Sequence, residues 1–247
     1  MTAGKPAIAG FLHFQRTGEI FPVVLDPEGD SEGGASLTLR DGVFTLRAPG
    51  HLAAAYLQSL PRNPSWTRQG MRVRLLAAAP GDGSQLPYRG EALTLRYVTA
   101  KPGTRPKVRR TGEILEVPLP PLEGTVACHT ARKQVITAWY RAEAAKLLLP
   151  EAARLAEQTG LRPSQVLVRT QYSRWGSCAA DGTIRLSSRL VMLPPRWAEF
   201  VIIHELVHLE HRNHGPGFWG AFDAIVPGAR AHAKQFTELS RGLPDLR

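Results

Sequence analysis

The 247-residue chain carries 31 basic and 21 acidic residues, a net charge of +10, with 43% hydrophobic and 21% charged positions. That composition excludes a disordered chain, and the length supports a proper core in one large domain or two modest ones. Two cysteines exclude a disulfide scaffold and an all-cysteine zinc site and fit a reducing cytoplasm; no apolar run is long enough to span a membrane, and MTAGKPAIAGFLHF makes a poor secretory signal.

The 23 Gly and 20 Pro exceed the usual combined share of about 12% and predict many turns and short elements. Residues 1–35 show no clear period, and DPEGDSEGGAS (26–36) reads as a loop, so 1–35 is expected to be an arm or linker. In LTLRDGVFTLR the Asp41-Gly42 pair lies between alternating runs, a hairpin signal because both turn residues must take positive φ. HLAAAYLQSL, up to Pro61, predicts a short helix. Met71–Ala79 and Glu91–Val98 read as strands. KPGTRPKVRR (101–110) holds five basic residues; it is expected as a turn and a charge-protected edge strand, continued by GEILEVPL. Residues 36–124 therefore form a β-rich unit.

The character changes near residue 125. Val135, Trp139, Ala142, Leu147 and Leu155 are spaced as a buried helical stripe, with Pro150 predicting a kink or two helices and Gly160 a C-cap. A strand is expected from Val166, a second hairpin at Asp181-Gly182, and a helix from Pro194-Pro195 onward.

That helix carries FVIIHELVHLEHRNHGPGFW (200–219). HELVH matches H-E-x-x-H, for which roughly 0.015 accidental matches are expected at this chain's His and Glu frequencies. On a helix His204 and His208 lie about 6 Å apart along the axis and about 40° apart around it, so both imidazoles reach one zinc ion, with Glu205 beside the open position to take a proton from water. The apolar surroundings make His and Glu costly there unless paired or metal-bound. His211 lies too far along the axis to share the ion. His214 reaches it if the helix ends first, and Asn213, tolerant of the left-handed conformation, with Gly215-Pro216 supplies that ending. Asp223 and Glu238 are the alternatives for the third ligand. Glu210 reads as a surface carboxylate, His211 as a rim residue, and Phe218, Trp219, Phe222 and Ile225 as core that holds the third ligand.

Arg174-Trp175-Gly176-Ser177-Cys178, the Gly182 turn, Pro194, HELVH and Asn213-His214 followed by Phe218-Trp219 resemble the YgjP-like metallopeptidase domain, a group related to SprT-like zincins. The likeness is dense from about Trp139 to Pro227 and loose back to about Leu37. Ser187 stands where the family usually has Asn. The resemblance implies zinc held by His204, His208 and His214 with Glu205 as catalytic carboxylate. It also implies an α+β fold, a β-rich N-terminal half with hairpins packed on a zincin-like helical and sheet core over 125–247.

RWGSC is expected on the strand beside the motif helix, where substrate adds as an extended chain and Arg174 meets its carbonyl or carboxylate. Trp175 and Cys178 read as core and His232 as structural. The leading function is a cytoplasmic zinc metallopeptidase acting on protein or peptide. The alternatives are a metal-dependent phosphoanhydride hydrolase acting on nucleotides, or a nucleic-acid-associated SprT-like protein, both suggested by the Arg-rich charge.

Overall fold

The computed structural model describes residues 8–15, 17, 19–26, 35–64, 73–101, 107–122, 124–171 and 173–241. The acidic loop at 27–34, the first two residues of the strand expected at 71–79 and the middle of the basic segment, 102–106, lie outside these residues. Among the described residues the protein is mixed α and β, with three small sheets and five α-helices. It divides into two compact units. One takes the chain up to Ala79 with Leu122–Arg132; the other takes Pro80–Pro121 and the chain from Lys133.

The first unit is a five-stranded sheet of β1 (Ile8–Phe14), β2 (Ile20–Asp26), β3 (Ser36–Arg40), β4 (Val43–Arg47) and β5 (Val73–Ala77), in the order β3-β4-β2-β1-β5. Within the expected arm, Ile8–Phe14 and Ile20–Asp26 are thus strands of this sheet. Their signal is weak because IAGFLHF and IFPVVLD carry apolar runs without alternation, each with two or three consecutive buried residues. Asp41 (φ 49°) and Gly42 (φ 74°) make the expected left-handed turn between β3 and β4. Helix α1 (Ala53–Ser59) adds Leu57 to a core of Leu12, Phe14, Val23, Phe44 and Leu46. His129 is buried here, accepting the Ala79 amide at Nδ1 (2.9 Å).

The second unit begins with β6 (Gln85–Tyr88), β7 (Glu91–Thr99), β8 (Arg109–Thr111) and β9 (Ile114–Leu119), in the order β6-β7-β9-β8. β8 is a fully exposed edge strand with Arg110 over the Tyr88 ring, in keeping with charge protection of an edge. Helix α2 (Thr125–Thr159) is continuous through Pro150, against the expected kink or break. Both Pro150 and Lys146, whose carbonyl loses its partner, face solvent, so water can satisfy that carbonyl. The buried stripe is Ile136, Trp139, Tyr140, Ala144, Leu148, Ala152 and Leu155; Trp139 and Leu155 are buried as expected, while Ile136 and Leu148 take the places expected for Val135 and Leu147 and Ala142 is exposed. Tyr140 donates to Pro87 O (2.6 Å) and Tyr88 to Glu143 Oε2 (2.7 Å), fixing α2 against β6. Gly160 (φ 75°) closes α2 as expected.

The third sheet is β10 (Gln165–Arg169), β12 (Thr183–Ser187) and β11 (Gly176–Cys178), in the order β10-β12-β11, so β11 is an outer strand. The β11–β12 turn is wider than the expected two-residue form. Ala179 N donates to Thr183 O and Gly182 N to Ala179 O, and only Gly182 (φ 79°) is left-handed. Helices α3 (Pro195–Val207), α4 (Pro216–Ile225) and α5 (Ala229–Arg241) complete the unit. Among the described residues no helix is long and apolar enough to cross a membrane.

Candidate metal centre

α3 starts on Pro195, whose fixed φ and missing N–H suit a first helical position. The turn between β6 and β7 holds that start. Arg89 N and Gly90 N donate to Val191 O and Met192 O, and a Cβ on Gly90 would lie 2.7 Å from Pro194 Cγ. From there α3 is buried on nearly every side, with Trp197, Val201, Ile202, Leu206 and Val207 in the core. Burial that complete fixes the helix rotation and so the directions of His204 and His208.

α3 ends at Val207 with His208 as its cap. The chain then turns back through 209–215, with His211 N on Val207 O and Gly215 N on Asn213 O. Asn213 is not left-handed, against expectation; the reversal uses tightened hydrogen-bonded turns instead. This return brings His214 over the helix end. His204 Nε2 lies 3.2 Å from His208 Nε2 and 3.0 Å from His214 Nε2, and the ligand atoms of all three lie within 4.8 Å of one another. Four ligands at about 2.0–2.1 Å in a tetrahedron stand about 3.3 Å apart, so this spacing fits one small cation.

The protonation state fits too. His208 Nδ1–H donates to His211 O (2.8 Å), since a carbonyl can only accept, and this leaves the Nε2 lone pair facing its neighbours. Burial, with the neighbouring imidazoles adding to it, pushes His204 down to about 3, so its ring is neutral at physiological pH. Burial lowers His208 as well. Glu205, only 5% exposed, is pushed up to about 7 by burial, with the Arg174 charge pulling the other way.

One ring underlies all three imidazoles. Phe218, the first buried residue of α4, has its centroid 4.9, 4.6 and 4.7 Å from those of His204, His208 and His214. Of the four residues expected as core beside His214, Phe218 and Phe222 are buried, while Trp219 and Ile225 are only half-buried. Phe218→Leu keeps the core filled but loses the flat support, and is expected to weaken metal affinity by about 10–100-fold. A competition titration against a chromogenic chelator measures this.

Among the described residues the cluster contains no fourth His, Cys, Asp or Glu. Asp223, an alternative third ligand, instead accepts the Gly228 and Ala229 amides on Oδ1 and caps α5. Glu238 is exposed on α5, outside the cluster. His211 serves through its carbonyl, and its ring rests on Gly217, where a Cβ would lie 3.2 Å from Nδ1. Glu210 is exposed. His232 packs against Trp197 and Phe200, away from the triad.

RWGSC lies beside the site as expected. Arg174 is exposed, close enough for its charge to act on Glu205. Trp175 is only half-buried, between the Arg189 guanidinium and the Phe236 ring. Cys178 is half-buried, and burial holds its thiol above the usual range. Ser187 is fully buried, donating to Gln171 O and accepting from Arg189 N. Arg212 carries no sequence signal in an Arg-rich chain, yet it donates to Ala179 O (2.7 Å) and Ala180 O (3.2 Å). It thereby ties the histidine loop to the β11–β12 turn.

The family model for the YgjP-like metallopeptidase domain matches residues 35–239. No curated protein matches the chain. Two crystal structures of metallopeptidase zymogens are similar. Pyrococcus abyssi abylysin is 23% identical over 40% of this chain and 100% of its own, with a TM-score of 0.34. Methanocaldococcus jannaschii jannalysin is 15% identical over 38% of this chain and 95% of its own, with a TM-score of 0.34.

Proposed function

This chain belongs to the YgjP-like metallopeptidase domain family, and from that premise we propose that it is a zinc-dependent peptidase held together at His204, His208 and His214, with Glu205 as its proton-transferring carboxylate. The observation that carries this reading is the convergence of three imidazole nitrogens within 4.8 Å beside a buried carboxylate. Three imidazole nitrogen donors with no fourth protein ligand in the cluster among the described residues suit a catalytic zinc site, which keeps one position open.

When bound, the ion supplies Lewis acidity for the scissile carbonyl and lowers the pKa of water. The chain's own residues do the rest. Glu205 takes a proton from the attacking water and returns it to the leaving amine; a carboxyl pushed up to about 7 is matched to both transfers near neutrality. β11 is an outer strand, so its free edge offers backbone groups to an extended peptide. Arg174, just before it, meets a substrate carbonyl or carboxylate.

The test is metal analysis of the purified protein paired with cleavage of an unfolded protein. Removal of the metal by a chelator is expected to abolish cleavage, and one equivalent of zinc to restore it. Undiminished cleavage by the metal-free chain rules the reading out.

A further inference from the structure

Gly176 opens β11 in an ordinary extended conformation, so its backbone does not call for glycine. Space does. A Cβ built there would lie 2.5 Å from Glu205 Oε1, 2.6 Å from Cγ and 2.8 Å from Cδ. These are closer than real Cβ atoms come to anything, and they involve the root of the side chain as well as its tip. Swinging the carboxylate aside does not clear Cγ. Any larger residue at 176 forces Glu205 out of its present rotamer.

The Arg174 charge acts on that carboxylate without a direct contact. Among the described residues no hydrogen bond or ion pair reaches Glu205. Its position is set by contact with the strand above it. The strand is in turn pinned along one edge and at both ends. Gly176, Ser177 and Cys178 pair with Leu186, Arg185 and Ile184, Ser187 N donates to Trp175 O, and Arg212 grips the following carbonyls.

We propose that Gly176 is a positioning residue for the catalytic carboxylate: the space left by its missing side chain is the seat in which Glu205 rests at the metal centre. This rests on the assignment of Glu205 as proton carrier. The rival account is that Gly176 serves only to let β11 pack, with no link to Glu205.

Two measurements on the full-length chain separate them. In the zinc-loaded protein, Gly176→Ala is expected to lower kcat on the order of 100-fold, the cost of misplacing a catalytic group by about 1 Å, with KM and zinc stoichiometry unchanged. In the metal-free protein, Gly176→Ala is expected to lower Tm by about 5 °C when residue 205 is Glu and by less than about 1 °C in a Glu205→Ala background, where the added methyl has room. A kcat within about twofold of the parent, or the same Tm loss in both backgrounds, overturns the proposal. A parent chain that binds zinc but cleaves no peptide sinks the peptidase reading instead. The melting cycle then still decides whether Gly176 seats Glu205.

Discussion

Glu205→Gln is expected to retain one equivalent of metal and lose turnover by about 10²–10⁴-fold, the usual contribution of a positioned general base. The amide has the same shape, so it fits beneath Gly176 where the carboxylate sits, and the three imidazoles are untouched. What it lacks is a lone pair basic enough to hold a proton. A variant that keeps its metal and still turns over near the parental rate removes Glu205 from the mechanism. The same substitution has a stability signature in the metal-free protein. A carboxyl raised to about 7 when folded contributes stability that is complete below its unfolded value of 4.5 and is lost as pH rises through 7. Above pH 7 the parent carries a buried, unpaired charge that Gln does not. Thermal melts should therefore show Glu205→Gln gaining on the parent between pH 4.5 and 7, by up to about 3 kcal/mol, with no further gain above.

The second large effect is on metal retention. His204→Ala is expected to lower affinity on the order of 1000-fold, since ligands of a zinc site share a binding free energy of about 10–16 kcal/mol. His204 is the middle ligand, within 3.2 Å of both partners, and the most buried of the three donors by its depressed pKa. His214→Ala should cost less, because His214 is exposed and stands on a loop that relaxes when it leaves. Elemental analysis after dialysis against a weak chelator ranks the variants. Full retention by His214→Ala would return the third position to another donor.

The site was legible in the sequence because its signal is local. Two histidines four residues apart on a helix need only helical geometry to meet, and the Gly-Pro pair after Asn213-His214, which opens the next helix, signals that the first does not run through His214. The way the chain leaves was not legible: tight turns do the work assigned to Asn213. Arg212 and the seat at Gly176 depend on which strand lies over which helix, and a single sequence does not encode that in any spacing. In the fold, hairpins marked by Asp-Gly were visible, while β1, β2 and β6 were not. The apolar runs of β1 and β2 show no alternation, unlike those of β4 and β7, and the β6–β7 turn uses Arg89 (φ 55°), a residue with no turn preference. Pro150 misled because helix-breaking was weighed without knowing that it faces water.

Two of the imidazoles ride on α3 and the third on the segment leading to α4, yet a single benzene ring of α4 backs all three. If the triad holds an ion as proposed, its capture and the docking of α4 are coupled. On the proposed reading, a chain without its cation loses the clasp between α3 and residues 212–214, which are exposed and so become the easiest entry for local unfolding.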